Sequence, residues 1–207
     1  SSLVNFDMEF VKEFSTFLHE KGALKFGDFN LSSGKKSSYY IDLRIVPSFP
    51  HQFRKMVKQL QNEIAENIGL DNFDYLVSVP TSGLVIASAL ATETVKPLIY
   101  VRNKPKDYGT SKSVEGHFES GKKALMIDDV ATTGDSVINA LKSLKQAGIV
   151  ISDAYVIINR MEGADKALEA EGVKMHDLTN ILEISNSLHE QNLVSDDVLN
   201  KVKEQTS

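Results

Sequence analysis

Two adjacent carboxylates, Asp128 and Asp129, follow the apolar run Ala124–Ile127, and Val130 and Ala131 join them to the hydroxyl-rich stretch Thr132-Thr133-Gly134-Asp135-Ser136. That stretch has the parts of a phosphate cradle. Gly134 lets the backbone approach an anion, successive N–H groups point inward, and the hydroxyls of Thr132, Thr133 and Ser136 add donors. Asp135 is the odd member beside a dianion and is accommodated if its side chain points outward. Asp128 and Asp129 come one turn earlier, at the height of a sugar attached to the phosphate. There they can accept hydrogen bonds from two ribose hydroxyls and stabilise positive charge at the anomeric carbon. The alternative is an ordinary strand-to-helix turn whose Thr and Asp only cap the helix. Two acids behind an apolar strand and ahead of a hydroxyl–glycine loop are more specific than that turn requires.

Charge gathers in one other place. Arg102, Lys104, Lys106 and Lys112 stand against a single acid, Asp107, between Arg102 and Lys112, in a chain of net charge −5. A cationic loop on an acidic protein suits a small anionic ligand better than a polyanion, although on charge alone a solvated surface loop reads the same. Nucleic-acid binding, which usually shows a basic excess, is not expected.

Residues of this kind must be held by a scaffold, and the apolar pattern supplies it. Phe10, Phe14 and Phe17 recur at helical spacing beside Val11 and Leu18, predicting a helix over Asp7–Glu20 with a core-facing stripe. A second helix follows Pro50 and ends at Gly69, and between the two, within the Gly- and Ser-punctuated segment Lys25–Arg44, Tyr39–Ile41 reads as a short strand. From Tyr75 the pattern alternates: strand Tyr75–Val79, helix Gly83–Val95, strand Leu98–Val101, a long polar loop Asn103–Gly121, strand Ala124–Ile127, helix Asp135–Ala147, strand Ala154–Ile158. Helices are expected again near Leu178–Glu190 and at Ser195–Glu204, the latter capped by Ser195. Apolar runs separated by helices predict an α/β fold with a central, mostly parallel sheet covered on both faces. Ligands of such sheets bind at the carboxyl ends of the strands, which places the chemistry in the loops starting at Pro80, Arg102, Asp128 and Asn159.

At 207 residues, 42% of them hydrophobic, the chain can bury one sizeable core as a single domain. The absence of cysteine excludes disulfides, cysteine-ligated zinc and thiol catalysis. His51, His117 and His176 are scattered, without metal-ligand spacing, and are expected at the surface. No apolar run approaches the roughly 18 residues that span a bilayer, and SSLVNFDMEF lacks the features of a signal peptide. A cytoplasmic protein with no membrane contact is expected.

Ala124–Ser136 resembles the phosphoribosyl pyrophosphate signature of type I phosphoribosyltransferases. Val79-Pro80-Thr81-Ser82-Gly83 looks like that family's pyrophosphate loop, which often holds a non-proline cis peptide, though the same residues also make a good turn and helix cap. Arg102-Asn-Lys-Pro-Lys-Asp-Tyr-Gly109 is similar to the flexible catalytic loop of orotate phosphoribosyltransferases, with Asn103 where the pattern has a second lysine. Leu24–Asp42 resembles their orotate-binding hood, with Ser32 at a lysine position and Lys35 and Lys36 nearby.

The resemblance implies a single phosphoribosyltransferase domain over 1–207, in which 20–45 form a small N-terminal hood and 102–121 the catalytic loop. It implies transfer of a phosphoribosyl group to orotate, catalysed by Lys106, Asp107, Asp128 and Asp129. Phosphoribosyl pyrophosphate would be held by Thr81, Ser82, Arg102, Asn103, Lys106, Tyr108 and the run from Asp128 through Val130, Ala131, Thr132, Thr133, Gly134 and Asp135 to Ser136. Orotate would meet Tyr40, Ile41, Thr132 and Arg160, the last of these through a bidentate guanidinium–carboxylate pair. It further implies Mg2+, reached by Asp129 through water, and a homodimer that shares the catalytic loop across its interface. A phosphoribosyltransferase for another base and a non-catalytic regulator that binds phosphoribosyl pyrophosphate are the alternatives.

Overall fold

The computed structural model describes residues 2–103 and 113–207. From the N-terminus, α1 (Ser2–Glu20) precedes β1 (Leu24–Asn30) and β2 (Lys36–Ile41), and α2 (Pro50–Asn67) starts on a proline, whose missing N–H has no helical partner to lose. An alternating stretch follows: β3 (Tyr75–Ser78), α3 (Ser82–Thr94), β4 (Leu98–Val101), β5 (Val114–Glu115), β6 (Lys123–Ala131), α4 (Asp135–Gln146), β7 (Val150–Asn159), α5 (Ala164–Ala170) and β8 (Lys174–Asn180). Then come α6 (Ile181–Glu190) and α7 (Asp196–Thr206). Among the described residues no helix is long and apolar enough to cross a membrane. The chain divides into two compact units, Val57–Leu178 and the combination of Ser1–Met56 with Thr179–Ser207.

The first unit is built on a six-stranded sheet in the order β5-β4-β3-β6-β7-β8. β3 runs parallel to β4 and to β6, and β6 parallel to β7. The short β5 reverses, pairing antiparallel with β4. Val77, Ile99, Met126 and Ala154 form one buried layer with Val137, Ala140 and Leu144 of α4. Alternation along the strands turns Leu76 and Leu125 to the opposite face, where they too are buried. The expected mostly parallel, helix-flanked sheet is therefore present.

The other unit holds the hairpin. β1 pairs antiparallel with β2, with an irregularity between Phe26 and Phe29. α1 buries Phe14, Phe17 and Leu18 and packs on α6. α7 is tied to β2 through Gln205: its Oε1 accepts from the Ser38 N–H at 2.8 Å, and its Nε2 donates to Ser37 Oγ at 3.0 Å.

Several expectations are corrected. α1 begins at Ser2, not Asp7. The Asn103–Gly121 stretch is not all loop, because Val114 and Glu115 pair with Val101 and Tyr100. β6 does not stop at Ile127 but runs on through both acids, because Asp128, Val130 and Ala131 keep their register with β7. The helix expected from Leu178 starts at Ile181, since β8 stays extended to Asn180, whose side chain caps α6 by accepting the Glu183 N–H at 2.9 Å. His176 is no free surface group: it stacks on Tyr155 with ring centroids 5.1 Å apart and bonds Asp153 at 2.8 Å.

Candidate active site

β3 and β6 lie side by side with Val77 opposite Met126, so the turns at their carboxyl ends emerge together. Ser78, the last residue of β3, is buried, and its hydroxyl donates to the Ile127 carbonyl at 2.7 Å. That bond ties the exit of β3 to the residue just ahead of the acidic pair. The chain then passes through the cis peptide Pro80-Thr81 and enters α3 at Ser82. Gly83 comes directly against β6: a Cβ there would stand 2.8 Å from Asp128 Oδ1, 2.8 Å from Ser78 Oγ and 3.3 Å from Asp128 Cα. Close approach, not backbone torsion, is what demands glycine at this position.

Asp128 and Asp129 are both half-buried on β6. Asp128 Oδ1 accepts the Asp129 N–H at 2.8 Å. Burial pushes the Asp128 carboxyl up to about 8, the charge of Asp129 pushes it the same way, and the Ser136 hydroxyl beside it acts in the opposite direction. A carboxylate so placed gains from any ligand that brings hydroxyl donors or positive charge.

Thr132 to Gly134 carry β6 into α4. Gly134 caps the helix at φ 87 and ψ 3, a left-handed conformation that glycine adopts without penalty. The first N–H groups of any helix lack intrahelical partners, and those of α4 follow directly on the end of β6. Thr132 is half-buried, while Thr133, Asp135 and Ser136 are exposed, so the charge of Asp135 remains solvated.

Arg160 follows β7, beside this turn. Ala131 is registered with Asn159, and the Arg160 N–H donates to the Ala131 carbonyl at 3.0 Å. The side chain is almost buried, with the residue 5% exposed, and its Nε donates to Glu162 Oε2 at 3.1 Å. Asn159 shapes the turn, accepting the Met161 N–H at 2.8 Å on Oδ1 and donating from Nδ2 to Asp177 Oδ2 at 3.3 Å. Met161 takes φ 63.

Arg102 and Asn103 leave β4. The Arg102 N–H donates to the Ser113 carbonyl at 2.8 Å, and its Nε lies 3.2 Å from Glu115 Oε1. Asn103 Nδ2 donates to the Pro80 carbonyl at 3.3 Å, linking this exit to the α3 turn. Lys106, Asp107 and Tyr108 lie outside the described residues. Tyr40 and Ile41 belong to the hairpin unit, where Tyr40 is registered with Lys25 and its ring tilts against Phe29 at 5.9 Å. Next to them Asp42 accepts from Arg44 Nε at 2.8 Å and Nη2 at 3.1 Å, and the hydrogen bond from Arg44 holds its carboxyl below the ordinary range.

Sequence reasoning missed Ser78, Glu115 and Glu162. Ser78 does carry a signal, a lone hydroxyl inside the apolar run Leu76–Val79, and Glu162 stands two residues beyond Arg160. Among the described residues no group of three or more His, Asp or Glu is arranged to hold a metal ion. The adjacent carboxylates of β6 are hard oxygen donors, and they fit a cation that keeps most of its shell as water or ligand oxygen, as Mg2+ does.

Comparison with known proteins gives concordant matches. The pattern of the phosphoribosyl transferase domain matches residues 51–182. An orotate phosphoribosyltransferase of Cenarchaeum symbiosum is 55% identical over 199 residues, covering 96% of this chain and 100% of that protein. One from Pyrococcus furiosus is 40% identical over 173 residues, covering 84% and 94%. The crystal structure of orotate phosphoribosyltransferase from Aeropyrum pernix matches with a TM-score of 0.76 at 32% identity, covering 87% of this chain and 99% of that one.

Proposed function

We infer that this chain, which belongs to the phosphoribosyl transferase domain family and within it to the orotate phosphoribosyltransferases, transfers a 5-phosphoribosyl group from phosphoribosyl pyrophosphate to orotate. The products are orotidine 5′-monophosphate and pyrophosphate, a step of pyrimidine biosynthesis. The observation that carries the reading is one alignment at the carboxyl end of the sheet. There the half-buried acids of β6, the hydroxyl–glycine entry to α4 and the nearly buried Arg160 lie on adjoining strand ends.

In the reaction N1 of orotate bonds to C1 of the ribose as the bond from C1 to the pyrophosphate oxygen breaks. The ring nitrogen can already carry negative charge, so no strong general base is required, and positioning with charge neutralisation does most of the work. The N–H groups and hydroxyls from Val130 to Ser136 hold the 5-phosphate, and Asp128 and Asp129 take the ribose hydroxyls and stabilise the cationic C1. Thr81, Ser82, Arg102 and Asn103 attend the pyrophosphate. Lys106, beside Asp107 and Tyr108 in the chain, neutralises the pyrophosphate as it leaves, and exclusion of water protects the sugar cation from hydrolysis. Arg160 and Thr132, with Tyr40 and Ile41 of the 20–45 hood, receive orotate. Asp129 would hold Mg2+ through water, and the ion, when bound, would supply positive charge to the pyrophosphate and ribose oxygens.

The whole chain acts as one phosphoribosyltransferase, in a cytoplasmic homodimer that shares the loop between subunits. A base without a carboxylate would have no use for Arg160, which favours orotate over other bases.

Orotate consumption, followed by ultraviolet absorbance with phosphoribosyl pyrophosphate and Mg2+ present or omitted, tests the reading. Loss that requires both additions supports it. A folded sample that consumes no orotate defeats it.

A further inference from the structure

We propose that Glu162 is a positioning residue that sets the guanidinium of Arg160 for a carboxylate-bearing base. The proposal deepens, and rests on, the reading of Arg160 as the residue that meets the orotate carboxylate.

The turn after β7 holds the backbone of Arg160 at three places. Its own N–H bonds Ala131, the Met161 N–H bonds the Asn159 side chain, and Asn159 reaches on to Asp177. None of these restrains the long side chain, which carries several rotatable bonds. Glu162 does: its Oε2 accepts from Nε at 3.1 Å, with side-chain exposures of 6% for Arg160 and 14% for Glu162. A guanidinium is a planar fork, and fixing Nε fixes both the plane and the rotation of the group. With Nε held by Glu162, a carboxylate is met from the Nη side of the group through charge-assisted hydrogen bonds. A preset fork also loses less side-chain freedom when substrate arrives, so the carboxylate binds more tightly than it would to a free arginine. Position two beyond the arginine suits this task, because the left-handed Met161 turns the chain back and returns Glu162 toward Nε.

The test compares steady-state constants for both substrates in Glu162→Asp, Glu162→Gln and Arg160→Ala. Glu162→Asp keeps the charge but falls short of Nε, and its KM for orotate is expected to rise about tenfold while its KM for phosphoribosyl pyrophosphate holds. Glu162→Gln keeps an acceptor for Nε and is expected to rescue most of that loss. Should Arg160→Ala raise the orotate KM while Glu162→Asp leaves it unchanged, Arg160 is the ligand and the positioning role is wrong. A rise in both KM values together with a lower melting temperature would mean a merely structural ion pair, and would overturn the proposal as well. An orotate KM in Glu162→Gln as poor as in Glu162→Asp would show that an acceptor placed at Nε does not set the fork, and would also overturn the proposal. Failure of the underlying reading shows separately, as an unchanged orotate KM in Arg160→Ala.

Discussion

Gly83 and Asp128 leave no room between them for a methyl group: a Cβ on the glycine would lie 2.8 Å from the carboxylate Oδ1 and 3.3 Å from the aspartate Cα. The second of these neighbours is backbone within a paired strand and cannot swing aside. Gly83→Ala therefore displaces either the start of α3 or the acid itself. It should cost about 1–3 kcal/mol of stability as overpacking, and it should weaken binding of phosphoribosyl pyrophosphate. Thermal unfolding and a substrate titration check this, and a variant that melts and binds like wild type would refute it.

The acid pair also sets a pH dependence. Burial, and then the charge of Asp129, raises Asp128 from an ordinary 3.8 to about 8. The folded protein thus keeps a proton that the unfolded chain has lost. Its contribution to stability is fully present below 3.8 and disappears as pH rises toward 8. Wild type should lose stability relative to Asp128→Asn between pH 5 and 8. Over the same interval phosphoribosyl pyrophosphate should bind wild type more tightly, because its hydroxyls donate to the ionised form. Parallel stability–pH curves for the two proteins would contradict the assignment.

Away from the site, the buried Tyr155 hydroxyl accepts from Asn67 Nδ2 at 2.9 Å and donates to Glu63 Oε1 at 3.1 Å. Tyr155→Phe removes both bonds without changing the ring that stacks on His176. Asn67 is exposed and Glu63 keeps its bond from Gln59, so the expected loss in denaturant unfolding is about 0.5–1.5 kcal/mol, the net worth of a hydrogen bond. Turnover should not change. A midpoint equal to that of wild type would mean the network contributes nothing.

Lys106→Ala tests the catalytic loop that Arg102–Gly109 resembles. Loss of one charged donor to a leaving group should lower kcat by about 10²–10³, with the melting temperature preserved. Turnover at the wild-type rate would remove Lys106 from the mechanism.

The elements that hold the site were legible because their residues see one environment throughout. β3, α3, α4 and the apolar half of β7 are buried or amphipathic along their length, and periodicity finds such segments. What escaped is what depends on partners distant in sequence. β1, Leu-Lys-Phe-Gly-Asp-Phe-Asn, carries a glycine and an irregular register, and only pairing with β2 holds it extended. β8 is an end strand of polar residues, Lys174 to Asn180, with no apolar run to announce it. Within the site, the acid pair and the hydroxyl–glycine turn could be read from residue type and spacing. The tie from Ser78 to Ile127 and the wedge of Gly83 under Asp128 could not, because each joins residues more than forty positions apart whose meeting is settled by strand register. In sequence Arg102 stands against the single acid Asp107, and it is the pairing of β5 with β4 that brings Glu115 to its Nε.

The bonds from Gln205 to Ser37 and Ser38 matter for the order in which the protein is made. Ser37 and Gln205 are 168 positions apart. At a synthesis rate of about 5–20 residues per second, Gln205 is added about 8–34 seconds after Ser37. Asn180, the last residue of the sheet that carries the acids, is added only about 1–5 seconds ahead of Gln205. Until then the β1–β2 pair has to persist without the α7 contacts that tie it in the finished molecule.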